Sequence, residues 1–192
     1  MLFNLSLYTI ILASKSPRRQ QLLKELGVDF IIKTKEIEEV YPSHLKKKAV
    51  ALFLSELKAN AFKKDIKENE IVITSDTIVC LDNEIIGKPT DRANAIEMLE
   101  KLSGKRHEVI TAVTLFSIQK KVSFSVCTEV FFKPLSMEEI TYYIDNYKPY
   151  DKAGSYGIQE WIGYIGIEKI IGSYFNVMGF PVKEVYDALI KF

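Results

Sequence analysis

Residues 71–81 read Ile-Val-Ile-Thr-Ser-Asp-Thr-Ile-Val-Cys-Leu, an apolar run interrupted only by Thr74-Ser75-Asp76-Thr77. Its length and β-branched content predict a buried strand. Asp82-Asn83 follows as a hairpin turn into Glu84-Ile85-Ile86, and then comes Gly87-Lys88-Pro89. On the amino-terminal side, residues 45–64 have helical spacing, with Ala49, Leu52, Phe53, Leu57 and Ala61 expected inward and the lysines outward. On the carboxyl side, residues 91–102 form a second helical pattern. Thr90 or Asp91 is its cap, Ala95, Met98, Leu99 and Leu102 its buried stripe, and Gly104 its end. A strand set between helices predicts an α/β fold around a mixed sheet.

The same alternation continues outward. Residues 8–13 are a short apolar strand pattern, followed by Ser14-Lys15-Ser16-Pro17-Arg18-Arg19. Ser16 suits an N-cap and Pro17 the first helical position, Leu22, Leu23 and Leu26 share one face, and Gly27 fits the position just past the end. Residues 28–35 read as a strand leading into Glu36-Ile37-Glu38-Glu39. Residues 108–118 and 122–132 read as paired strands joined by Gln119-Lys120-Lys121. Ser136 opens a helix with a capping box to Glu139 and a stripe of Met137, Ile140, Tyr143 and Ile144. Residues 156–171 are rich in glycine, isoleucine and aromatics and read as strand and turn. Pro181 begins a last short helix with Val185, Ala188 and Leu189 inward.

Bulk properties set limits. A chain of 192 residues suits one domain, expected over 1–192, or one domain with lobes. Lys and Arg number 26 against 25 Asp and Glu, a balance that argues against a basic face for long nucleic acid. Cys80 and Cys127 both lie in strand-like runs and read as small buried side chains in a reducing cytoplasm, not as a disulfide framework. His44 and His107 lack the partners for a zinc site. Residues 1–13 are apolar but have no basic leader, and Lys15 follows, so they read as a first strand rather than a secretory signal. No run reaches the ~20 apolar residues of a membrane span.

Candidate chemistry starts from Asp76. By two-residue alternation it shares a face with Val72, Thr74, Ile78 and Cys80, where an unpaired carboxylate is costly. It is either a functional group with a partner or metal, or a strand end reaching solvent. Glu36, Glu38 and Glu39 are a solvated turn unless one of them meets Asp76 around Mg²⁺ or Mn²⁺, which prefer oxygen ligands. Arginines in a helix's first turn oppose its dipole. The turn at Ser14–Arg19 therefore suits either a phosphate or an ordinary capped helix with exposed arginines. Lys88 between Gly87 and Pro89, and Lys58 on the long helix, are unremarkable alone. Gln159 carries both donors and an acceptor and suits a base edge as well as a simple strand end.

In their joint order, the segments LASKSPRR at 12–19, SDTIV at 75–79, GKP at 87–89 with Asp91, LSG at 102–104 with His107, TAV at 111–113, DKAGSYGIQ at 151–159 and GSYFNVMGFP at 172–181 resemble the Maf family of nucleotide pyrophosphatases. The resemblance spans nearly the whole chain. It implies an elongated mixed sheet flanked by helices, with two lobes around a cleft, related to inosine-triphosphate pyrophosphatases. It implies a divalent cofactor, Mg²⁺ or Mn²⁺, with Asp76 as general base and metal ligand and Glu38 beside it. Lys58 and Lys88 match polar active-site positions, and Ser14, Ser16, Arg18 and Arg19 the phosphate end. Arg18, Thr77 and Gln159 together resemble the subgroup acting on dTTP and UTP rather than the one preferring 7-methyl-GTP. A homodimer and a nucleoside triphosphate partner are expected of the family, and neither nucleic acid nor membrane. The alternatives are a 7-methyl-GTP pyrophosphatase of the same family and a nucleotide-binding regulator of division without significant turnover. Two departures stand out: Glu160, followed by Trp161, where the family often has glycine, and Ser75 in place of the common alanine.

Overall fold

The computed structural model describes Leu5 and residues 7–192. Its elements are β1 (Thr9–Leu12), α1 (Pro17–Glu25), β2 (Phe30–Ile32), α2 (Lys48–Asn60), β3 (Glu70–Leu81), β4 (Glu84–Ile86), α3 (Arg92–Leu102), β5 (Arg106–Phe116), β6 (Lys121–Phe132), α4 (Met137–Tyr147), α5 (Trp161–Gly166), β7 (Ile167–Ile171), α6 (Tyr174–Val177) and α7 (Val182–Ile190). The strands form one mixed sheet in the order β2-β1-β3-β5-β6-β7, with β4 also on β3. This is the α/β sheet flanked by helices that the alternation predicts. Of the expected first strand, residues 1–4 and 6 lie outside the described residues.

The chain divides into two compact units, one of residues 1–76, 111–126 and 179–192, the other of 77–110 and 127–178. In the first unit β1 runs parallel to both β2 and β3, with Ile11 opposite Ile31 on one side and Val72 on the other. Ile11, Val72 and Phe62 are buried together. In the second unit β4 pairs antiparallel with the end of β3, and β7 pairs antiparallel with β6. Its core gathers Val79, Leu81, Ala95, Leu99, Val109, Phe132, Ile144 and Ile162, among others.

Local signals behave as their chemistry requires. Asp91, not Thr90, caps α3, accepting from Asn94 N–H at 2.8 Å. Ser136 and Glu139 close a reciprocal capping box on α4. Gly27 has φ +72°, the left-handed conformation of a residue just past a helix end.

Five expectations need correction. The strand expected over 28–35 shrinks to three residues, because β2 is an edge strand paired only with β1. Helix α2 buries Val50, Ala51, Leu54, Ser55 and Ala59, a stripe rotated from the expected one. The segment 49–57 is apolar nearly all round, so periodicity alone could not choose its inner face. Residues 161–166 are helix rather than strand. Cys127 is exposed, on the outer side of β6, whereas Cys80 is buried. Met137, at the first position of α4, is 45% exposed and stands outside its stripe.

His107 is 1% exposed, with Nε2 2.7 Å from the Tyr156 hydroxyl and the Phe132 ring edge-on. Burial pushes its imidazole down to about 4 from 6.5. Between those values the unfolded chain binds more protons than the folded protein, so stability falls as pH drops. The expected loss from pH 7 to 4 is about 3 kcal/mol. Urea midpoints at pH 7, 5.5 and 4.5 check it, and His107→Gln should flatten most of the fall. Equal midpoints at pH 7 and 4.5 would refute it.

Candidate functional site

Asp76 is reached through a short chain of contacts in the first unit. The Thr74 hydroxyl donates to the Ser55 carbonyl of α2 at 2.7 Å, and the Ser55 hydroxyl lies 3.0 Å from that of Thr114 on β5. These bonds fix α2 against β3. Two residues along β3 is the same strand face, and three residues along α2 is nearly the same helix face. Asp76 and Lys58 therefore meet, with Lys58 Nζ 2.6 Å from Asp76 Oδ1. Asp76 is 6% exposed, and this charge-assisted bond answers the cost of burying it. Lys58 also lies 3.1 Å from Glu39 Oε1, so one ammonium is bracketed by two carboxylates.

The turn at Ser14–Arg19 lies alongside. Ala13 N–H donates to the Ile73 carbonyl at 2.9 Å, which carries the chain from β1 past the end of its ladder with β3. Ser14 is buried, and its hydroxyl accepts from Ser16 N–H at 3.2 Å. Ser16 is the N-cap of α1, though its side chain makes no capping bond, and Pro17 opens the helix. Arg19 donates from Nη1 to the Ser75 carbonyl at 2.8 Å and from Nε to the Gly179 carbonyl at 2.9 Å. Burial lowers its pKa and the Asp76 carboxylate opposes the fall. A guanidinium stays charged through the physiological range all the same. Arg18, in the same turn, is partly exposed. The turn, Asp76 and Lys58 thus collect past the carboxyl end of β1 and of its parallel ladder with β3, the side on which open α/β sheets bind ligands. A helix N-terminus beside cationic side chains suits an anion.

The structure brings Asp76, Lys58, Glu39 and Arg19 together. Glu38 and Glu39 are both exposed, and the carboxylate on Lys58 is that of Glu39, its side chain 47% exposed. The acidic cluster was visible in the sequence, but which of its members reaches Lys58 depends on how the loop after β2 lies. The two carboxylates offer oxygen donors to a hard cation. Among the described residues no three His, Cys, Asp or Glu side chains form a closed cage. One or two protein carboxylates completed by substrate phosphates is how Mg²⁺ is commonly held, so the donor set fits.

In the second unit, Thr77 follows Asp76 directly and is partly buried. Lys88 is exposed, and its neighbour Gly87 accepts at its carbonyl from Gly154 N–H at 2.9 Å, joining the 87–89 turn to the segment 151–159. Gln159 sits on that segment with its Oε1 buried and without a hydrogen-bond donor. Glu160, noted in the sequence only as a departure, engages both Lys152 and Tyr143.

Residues 9–192 match the family described as Maf-like protein. A dTTP/UTP pyrophosphatase of Phocaeicola vulgatus is 54% identical over 192 residues, covering 100% of both chains. One of Flavobacterium johnsoniae is 53% identical over 182 residues, covering 95% of this chain and 94% of the relative. Among solved structures, the Staphylococcus aureus Ham1 protein aligns with a TM-score of 0.44 at 16% identity, over 65% of this chain and 71% of its own. A dITP/XTP pyrophosphatase of Mycobacterium abscessus aligns at 0.42 and 14% identity, over 65% and 74%. With its sequence marks matched from end to end, this chain belongs to the Maf-like protein family.

Proposed function

We propose that this protein hydrolyses the pyrimidine nucleoside triphosphates dTTP and UTP to the monophosphate and pyrophosphate. The observation that carries the reading is the buried Asp76–Lys58 pair, 2.6 Å apart, beside the cationic N-terminal turn of α1. Relatives about half identical in sequence and bearing that activity in their names support it.

In this reading Asp76 accepts a proton from the attacking water. The water oxygen bonds to the α-phosphorus, the bond to the α–β bridging oxygen breaks, and pyrophosphate departs with that electron pair. Lys58 orients the Asp76 carboxylate and offsets charge on the phosphates. Arg18, Ser14, Ser16 and the first N–H groups of α1 hold the polyphosphate. Arg19 works through its hold on the Ser75 carbonyl, which sets the peptide preceding Asp76. Mg²⁺ or Mn²⁺ would be held by Asp76 and Glu39 with the substrate's phosphate oxygens, and when bound would neutralise charge developing on the leaving group. Lys88 contributes to phosphate binding, and Thr77 and Gln159 to the base. We place the reaction in the cytoplasm, where the thiols of Cys80 and Cys127 remain reduced. Among the described residues no helix is long and apolar enough to cross a membrane.

The test is pyrophosphate release from dTTP, UTP, CTP and 7-methyl-GTP with Mg²⁺ or Mn²⁺. Turnover of dTTP and UTP well above the others supports the reading. Turnover of 7-methyl-GTP alone overturns the base assignment. No turnover with either metal leaves a nucleotide-binding regulator and refutes the activity.

A further inference from the structure

The segment carrying Gln159 is held by polar contacts that the proposed chemistry does not use. Lys152, 8% exposed, places Nζ 3.0 Å from Glu160 Oε1 and 2.8 Å from Asp151 Oδ1. The fully buried Tyr143 donates its hydroxyl proton to Glu160 Oε2, and the same hydroxyl accepts from Gly157 N–H at 3.0 Å. Glu160 N–H closes a turn onto the Gly157 carbonyl at 3.0 Å, and the Tyr164 hydroxyl donates to the Gln159 carbonyl at 2.6 Å. A Cβ on Gly157 would fall 2.8 Å from Glu160 Cδ, so the carboxylate packs directly on the loop. The residues flanking Gln159 are therefore tied from both sides, and both oxygens of Glu160 are engaged.

Burying a carboxylate and an ammonium for stability alone is a poor use of them, since desolvation cancels much of their attraction. The Gln159 Oε1 atom presents the opposite case. It is buried with no donor, although buried acceptors are ordinarily satisfied. An acceptor on a rigid loop that lacks a donor is suited to receive one from a ligand.

We infer that Glu160, with Lys152 and Tyr143, is a positioning and specificity-determining group that aims the Gln159 amide so that Oε1 takes the ring N–H of a uracil or thymine base. The inference rests on the pyrimidine reading above. Uracil and thymine carry a hydrogen on ring N3, whereas cytosine presents a lone pair there, which would set two acceptors face to face. A site built to receive a donor rejects an analogue without one only while the receiving atom cannot swing aside.

The experiment measures kcat/KM for UTP and CTP in the wild type, Glu160→Ala, Glu160→Gln, Gln159→Ala and the Glu160→Ala/Gln159→Ala double variant. Glu160→Ala should lower the UTP:CTP ratio about tenfold, the worth of one hydrogen bond, through KM more than kcat. Glu160→Gln, whose single amide oxygen can accept from only one of Lys152 and Tyr143, should restore part of the ratio. The double variant should be no worse than Gln159→Ala alone, because the two act through one contact. Additive losses, equal losses on both nucleotides, or a wild-type ratio near one would overturn the inference. If Glu160→Ala does not fold, Tyr143→Phe is read by the same ratio. A wild type that turns over no nucleotide sinks the proposed activity and the inference together, whereas an active wild type with additive losses sinks the inference alone.

Discussion

Asp76→Asn is expected to lower kcat for dTTP and UTP by about 10²-fold or more, the worth of a positioned general base. The substitution keeps shape and an acceptor for Lys58 and removes only the negative charge and the basicity. Lys58 retains Glu39 at 3.1 Å, so it is not left unpaired. The fold should therefore survive, at a cost of about 1–3 kcal/mol for the weakened buried contact. Pyrophosphate release under saturating nucleotide, with a thermal melt of the same preparation, separates the two effects. Turnover near the wild-type rate would remove Asp76 from the chemistry and leave its pair with Lys58 a structural feature.

Gly163→Ala should be the most damaging small substitution for stability. A Cβ at this position would lie 1.9 Å from the Ile158 carbonyl oxygen and 2.6 Å from its carbon. These are backbone atoms, so no side-chain rotation relieves the overlap, and either α5 or the 157–160 turn has to move. The expected cost exceeds about 3 kcal/mol, seen as a fall in Tm of roughly 10 °C for a chain of this size. Because the displaced turn bears Gln159, KM for UTP should rise in the fraction that folds. Gly87→Ala is the matching control: nothing lies within 4 Å of its Cβ position, and its melt should move by less than about 0.5 kcal/mol. Equal melts for the two variants would show that the close approach at Gly163 is not needed.

Gly163 also shows where reading the sequence stops. Residues 156–171 carry glycine, isoleucine and aromatics at strand-like density, yet 161–166 are helical. That helix depends on a close approach between Gly163 and Ile158, a tertiary fact that composition cannot carry. The face of α2 is a second case. With apolar residues on nearly every side of 49–57, the helix is turned by the Thr74–Ser55 and Ser55–Thr114 contacts, which fix polar atoms from strands distant in sequence. That turn also singles out Lys58 from the other lysines, since three residues past Ser55 on α2 is where an ammonium meets Asp76.

What the sequence determined by itself is local or periodic. It set the alternation of strands and helices, the hairpin at Asp82-Asn83, a cap at Thr90 or Asp91, the capping box of Ser136 with Glu139, and the place of Asp76 within an apolar strand. These follow from interactions within a few residues or from a repeat of 2 or about 3.6 residues, which one chain read in order displays. The tertiary structure alone decided which carboxylate of the acidic cluster pairs with Lys58, that of Glu39, and it gave Arg19 the carbonyls of Ser75 and Gly179 to hold. It also set Glu160 between Lys152 and Tyr143 beside an unanswered Gln159 oxygen. Each of these depends on the direction of a side chain across elements far apart in sequence. One residue's difference along an irregular loop reverses that direction, and no local energy term selects between the two.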